Sequence, residues 1–128
     1  MFEGFKLKYR LNAKHSLSSD ANNIHPHTFE ISLLIEQLQL EKGVGLYSSI
    51  DRIVENFLSL YQNQYLNDIS PFNQLEPSIE NMGNIFYEEL KALLNNEQLN
   101  LIQLEISETP LRVYLVSDRL MVSSIKLI

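Results

Sequence analysis

The residues of this chain best suited to chemistry are its three histidines, and all of them fall in one short window. His15 closes an apolar-alternating run. His25 and His27 sit in the stretch Ile24-His-Pro-His-Thr-Phe-Glu-Ile31. On an extended segment, side chains two apart point to the same side, so His25 and His27 share a face. A third imidazole from a neighbouring strand closes a three-nitrogen site. Three neutral imidazoles with an open fourth position form the ligand set of a catalytic zinc site, whereas a structural site is sealed. Taken alone, three histidines near a turn also fit a solvated cluster, and both readings stand at this point.

The composition narrows the chemistry further. The chain has no cysteine, which excludes disulfides, thiolate ligands and a thiol nucleophile or base. Its 128 residues fit a single domain, 1–128, and 45% hydrophobic content supplies a core. A formal net charge of -6 argues against a nucleic-acid partner, which would need a concentrated basic patch. Lys6, Lys8, Arg10 and Lys14 cluster early, but they alternate with Phe5, Leu7, Tyr9 and Leu11. They read as the wet face of a strand. No secretory pattern opens the chain and no apolar run approaches membrane-spanning length, so the expectation is a cytoplasmic protein with no membrane partner.

The elements that must position the histidines follow from periodicity. Phe5 to Ala13 alternates as a strand with one buried face. Ser16 to Asn23 is a Ser-, Asp- and Asn-rich loop. Thr28 to Leu40 reads as a second strand, broken by Glu41-Lys-Gly-Val-Gly, and the two strands form an antiparallel pair joined by the histidine-bearing loop. From Tyr47 to about Gln64 the period changes. Ile50, Ile53, Val54, Phe57, Leu58 and Tyr61 recur at three and four, which is an amphipathic helix.

After a loop over 67–77, Ser78 is an N-cap for a second helix, with Glu80 in the first turn and Asn95-Asn96 at the end. Its apolar face is Ile79, Met82, Ile85, Phe86, Leu90, Leu93 and Leu94. Leu99 to Ser107 alternates again, with Ile102, Leu104 and Ile106 inward. Val113 to Val116 and Leu120 to Leu127 are further strands. The order is β-β-α-α-β-β, with room for one more short strand. The fold class is α+β, an antiparallel sheet of about four strands with two helices on one face.

These elements carry a family pattern. Ala13-Lys14-His15, His25-Pro26-His27-Thr28-Phe29, Tyr65-Leu66-Asn67-Asp68, Pro77-Ser78-Ile79-Glu80-Asn81 and Ser107-Glu108-Thr109 stand in the order of five family motifs. The chain resembles the 6-pyruvoyl-tetrahydropterin synthase and 6-carboxytetrahydropterin synthase family. The resemblance implies the tunnelling fold, or T-fold, in which sheets join edge to edge into an oligomeric barrel, commonly a hexamer built as a dimer of trimers. It implies zinc held by His15, His25 and His27. It implies a pterin-like substrate such as dihydroneopterin triphosphate, and lyase chemistry on its side chain. By the same resemblance Glu108, with Thr109 beside it, anchors the pterin ring, since a carboxylate can accept two parallel N–H bonds. The other reading of Glu108 is an ordinary strand-end acid.

The chain also departs from the family. The usual catalytic cysteine before the His-x-His pair is absent, and Asp20 is the one carboxylate in that loop. Asp20 is the candidate substitute base, because burial can raise a carboxyl pKa, against a plain reading as a solvated loop acid. Where the family has an Asp-His relay, this chain has Gln62 and Asn63, whose amides carry no proton at neutral pH. Pro26 replaces the glycine between the ligand histidines. Two functions follow as alternatives: a zinc-dependent pterin enzyme, or a catalytically inactive T-fold homologue serving as a ligand-binding or protein-interaction scaffold.

Overall fold

The computed structural model describes residues 3–18, 23–37 and 46–118. Four strands, β1 (Phe5–His15), β2 (His25–Gln37), β3 (Leu99–Thr109) and β4 (Arg112–Ser117), form one antiparallel sheet in the order β1-β2-β3-β4. Two helices, α1 (Leu46–Leu58) and α2 (Ile79–Asn95), cover one face. The architecture is the α+β arrangement expected from the sequence.

Alternation explains the sheet. Along β1, Tyr9, Leu11, Ala13 and His15 are buried while Lys6, Lys8, Arg10, Asn12 and Lys14 are exposed. On β2, Phe29, Ile31, Leu33 and Ile35 face the same core. On β3 the phase of the pattern changes. Leu34 pairs with Gln103 but Ile35 pairs with Leu101, so a bulge admits one extra residue. The bulge puts Leu99 and Leu101 in the same core as Leu104 and Ile106, although their sequence parities differ. Ile102, expected to point inward with Leu104, is buried at the bulge but lies outside the main core cluster. The parity change matters for function, because it fixes which face Glu108 takes.

Helix α2 begins as its cap requires. The Ser78 hydroxyl accepts from the Asn81 backbone N–H at 3.1 Å. Its buried face is Met82, Gly83, Phe86, Tyr87, Leu90 and Leu94, while Leu93 is exposed. Gly83 lets the helix approach the sheet closely. A Cβ there would lie 2.8 Å from Tyr114 Cδ2 and 3.1 Å from Ile106 Cγ2. We expect Gly83→Val to destabilise the fold by about 1–3 kcal/mol through overpacking. Urea unfolding checks this, and an unchanged midpoint would show that the helix can shift away at no cost.

Other ties fix the layers. The Tyr9 hydroxyl donates to Asp51 Oδ1 at 2.8 Å, linking β1 to α1, and burial together with that carboxylate pushes the phenol well above its usual range. At the end of β4, Lys91 Nζ meets Asp118 Oδ2 at 2.7 Å and binds the chain back to α2.

Other expectations change as well. The first helix ends at Leu58, not near Gln64. Tyr61 is still buried, because the chain turns there and runs along the outer edge of β1. The positive φ of 60° at Asn63 makes that turn. The loop after it contains a short 3-10 turn, Leu66–Asp68, pinned by the buried Leu66. The histidines lie within β1 and β2 and not in the loop between them. The expected strand from Leu120 to Leu127 and the candidate base Asp20 lie outside the described residues.

Candidate metal centre

His15 and His25 are register partners at the end of the β1–β2 ladder, and His27 pairs with Ala13. All three imidazoles therefore come from the same end of the sheet. The ring centroids of His15 and His27 are 4.9 Å apart, and those of His25 and His27 are 5.7 Å apart. Phe29 packs edge-on against His15 at 5.3 Å and closes the floor toward the core.

From β3, Glu108 reaches the same place. Its Oε1 lies 3.4 Å from His15 Nε2 and its Oε2 lies 3.7 Å from His27 Nε2. Among the described residues, His15, His27 and Glu108 form a group whose donor atoms all lie within 4.8 Å of one another. His25 stands next to this group through its contact with His27. Thr109 is exposed at the end of β3.

The buried ring of His15 is fixed on its far side. Its Nδ1 lies 2.7 Å from the Pro77 carbonyl oxygen. A carbonyl only accepts, so Nδ1 carries the hydrogen, and Nε2 is the ring atom turned toward Glu108. The start of α2 sets that carbonyl. Asn81 Nδ2 donates to the Glu76 carbonyl at 2.8 Å, the Ser78 N–H donates to the same oxygen at 2.9 Å, and the Glu76 carboxylate accepts from the Ser18 N–H. The segment from Pro77 to Asn81 thus works both as a helix cap and as the outer support of an imidazole.

His27 is pushed below its ordinary pKa, first by burial and then by the neighbouring His15 and His25, against the pull of the Glu108 carboxylate. Its neutral form, the one that binds metal, is favoured. The imidazole nitrogens and carboxylate oxygens that face one another can all serve as ligand atoms to a single cation. The donor types suit zinc. A tetrahedral ion with bonds near 2.0–2.2 Å separates its ligand atoms by roughly 3.3–3.6 Å, comparable to the 3.4 and 3.7 Å separations here. The residues fit the group.

Gln62 has a structural task. Its Nε2 donates to the Arg10 carbonyl at 2.9 Å and its Oε1 accepts from the Asn12 N–H at 3.0 Å. Neither role was legible from sequence, because the partners are 50 and 52 residues away in the chain.

A four-stranded antiparallel sheet with two helices on one face, ending in a histidine–carboxylate cluster, defines a T-fold protein. A family model described as 6-pyruvoyl tetrahydropterin synthase matches residues 3–118. The chain belongs to the 6-pyruvoyl tetrahydropterin synthase family. Its fold is similar to that of Caenorhabditis elegans 6-pyruvoyl tetrahydropterin synthase, with a TM-score of 0.78 and 17% identity, covering 91% of this chain and 96% of that one. It is also similar to an uncharacterized protein from Wolinella succinogenes, with a TM-score of 0.67 and 10% identity, covering 93% and 99% of the two chains. No curated protein matches the sequence.

Proposed function

We propose that this protein binds zinc through His15, His25 and His27 and takes a reduced pterin, dihydroneopterin triphosphate or a related compound, beside it. The observation that carries this reading is the convergence of His15 Nε2, His27 Nε2 and the Glu108 carboxylate, each able to supply a ligand atom, at one end of the sheet. Bound there, zinc supplies Lewis-acid polarisation of side-chain hydroxyls. Glu108 accepts N–H bonds from the pterin ring and fixes its orientation, with Thr109 next to it. Asp20 is the proposed substitute for the missing thiol base.

A second reading of Glu108 has direct support. Its short distances to both imidazoles favour it as a metal ligand in place of His25. Glu108→Gln separates the two. We expect the variant to keep zinc and to lose pterin affinity by about 10- to 100-fold, the weight of a charged hydrogen bond. Calorimetry with a dihydropterin and zinc analysis check this together. Loss of zinc would make Glu108 a ligand, and unchanged affinity for both would remove it from the site.

The inactive-scaffold alternative is favoured by one observation. Gln62, at the position of the family's relay, commits both halves of its amide to the β1 main chain. Turnover of dihydroneopterin triphosphate by the zinc-loaded protein decides between enzyme and scaffold. For assembly we propose a homo-oligomer in which sheet edges pair, a hexamer as in the family pattern. The exposed Val113 and Leu115 on β4, the outermost strand on that side among the described residues, and Leu111 before it, support that proposal. Among the described residues, no helix is long and apolar enough to cross a membrane. The proposed location is cytoplasmic.

A further inference from the structure

We infer that Asn67 is a positioning residue for the metal site, holding the main chain beside His15 as a β-strand partner would. The inference rests on the zinc reading above.

An edge strand needs partners for its outward N–H and C=O groups. Along β1 these come from the segment that follows α1. Gln62 serves the Arg10 carbonyl and the Asn12 N–H with its side-chain amide. The Asn63 N–H donates to the Asn12 carbonyl at 2.6 Å, and the Lys14 N–H donates to the Gln64 carbonyl at 2.9 Å. Tyr65 bridges to Lys14 as a parallel partner. The chain then curls into the Leu66–Asp68 turn, and its backbone no longer follows β1. At that point Asn67 takes over. The Ser16 N–H donates to its Oδ1 at 2.9 Å, and its Nδ2 donates to the Ser16 carbonyl at 2.9 Å. The Tyr65 hydroxyl closes the patch on Ser16 Oγ at 2.7 Å.

His15 lies between Lys14 and Ser16, and each of these is pinned from the same segment. Its ring is held separately by the Pro77 carbonyl. Ligand sites tolerate only about 0.5 Å and 10–20° of error. A histidine at the last position of an edge strand meets that tolerance only if the chain beyond it is fixed. An amide supplies one donor and one acceptor at the required spacing. A carboxylate would set an acceptor against the Ser16 carbonyl, and an alkyl chain would supply neither group.

The test compares wild type, Asn67→Ala, Asn67→Asp and Gln62→Ala. Zinc affinity is measured by chelator competition, the visible spectrum is taken with cobalt(II) as probe, and thermal unfolding is followed in parallel. Gln62→Ala removes an equivalent pair of main-chain bonds away from the metal and controls for general loosening. We expect it to lower Tm while leaving zinc affinity and the cobalt spectrum as in wild type. Asn67→Ala is expected to weaken zinc about 10- to 100-fold, as loss of an outer support typically does, and to alter the cobalt spectrum. Should Asn67→Ala not fold, Asn67→Asp, which keeps only the acceptor half, gives the same readout. Wild-type affinity and an unchanged spectrum in the folded Asn67 variants would overturn the inference while leaving the zinc site standing. A wild type that takes up no zinc would overturn the zinc reading and this inference with it.

Discussion

Replacing His27 with alanine is expected to lower zinc affinity by about a hundredfold or more. His27 is the central ring of the three, 4.9 Å from His15 and 5.7 Å from His25 between centroids, and its Nε2 is 3.7 Å from Glu108 Oε2. On the proposed zinc reading it serves as a ligand whether the third donor is His25 or Glu108, so no rearrangement of the remaining groups restores its share. Zinc binding to four-ligand structural sites is worth about 10–16 kcal/mol, so one ligand carries roughly 3 kcal/mol, and about 1.4 kcal/mol is a factor of ten. His27 is only half-buried, so the fold should lose less than about 1 kcal/mol. Competition titration on the variant, with circular dichroism as the check on folding, reads this directly. Wild-type affinity in a folded His27→Ala protein would remove His27 from the site. The double replacement of His25 and His27 is expected to abolish zinc binding outright.

Phe86→Ala is expected to cost about 3–5 kcal/mol. Phe86 is fully buried on α2 and is the hub of the aromatic cluster. Its ring centroid lies 5.4 Å from Phe57, 5.2 Å from Tyr61 and 6.1 Å from Phe72. Phe57 comes from α1, Tyr61 from the turn behind it, and Phe72 from the loop before α2. Removing the hub leaves a cavity that three separately anchored rings cannot collapse into together. A domain of this size has roughly 5–15 kcal/mol in all, so the loss is a large share of it. The effect should also reach the site. Tyr61 leads into the segment that lies along β1, so the variant should bind zinc more weakly when partly unfolded by urea. A loss under about 1 kcal/mol in urea unfolding would show that the cluster is not the packing centre that its geometry indicates.

Periodicity made much of the fold legible. The two-residue alternation of β1 and the three-and-four spacing of α2 are local signals, and so are the Ser78 cap and the end of α2 at Asn95. The β3 bulge also left a trace. Leu99 and Leu101 are out of phase with Leu104 and Ile106, and one extra residue is the way to bury both pairs. The early end of α1 was hidden, because Tyr61 falls on the helical stripe and is buried by a turn instead.

The site divides the same way. The shared face of His25 and His27 follows from spacing alone, whereas the pairing of His15 with His25 depends on the two strands running further into the expected loop than their alternation indicates. The approach of Glu108 to His15 and His27 depends on the β2–β3 register, Glu30 opposite Ser107, which is set by packing across the whole sheet. No local rule predicts it. The same holds for Pro77, whose carbonyl meets a ring 62 residues earlier in the chain.

The most direct test of the account is the metal content of the natively purified protein, read by elemental analysis. About one zinc per chain is expected, retained through gel filtration and removed by a chelator, as three imidazoles around one ion require. A folded protein that carries no zinc, and takes up none when it is supplied, would contradict it.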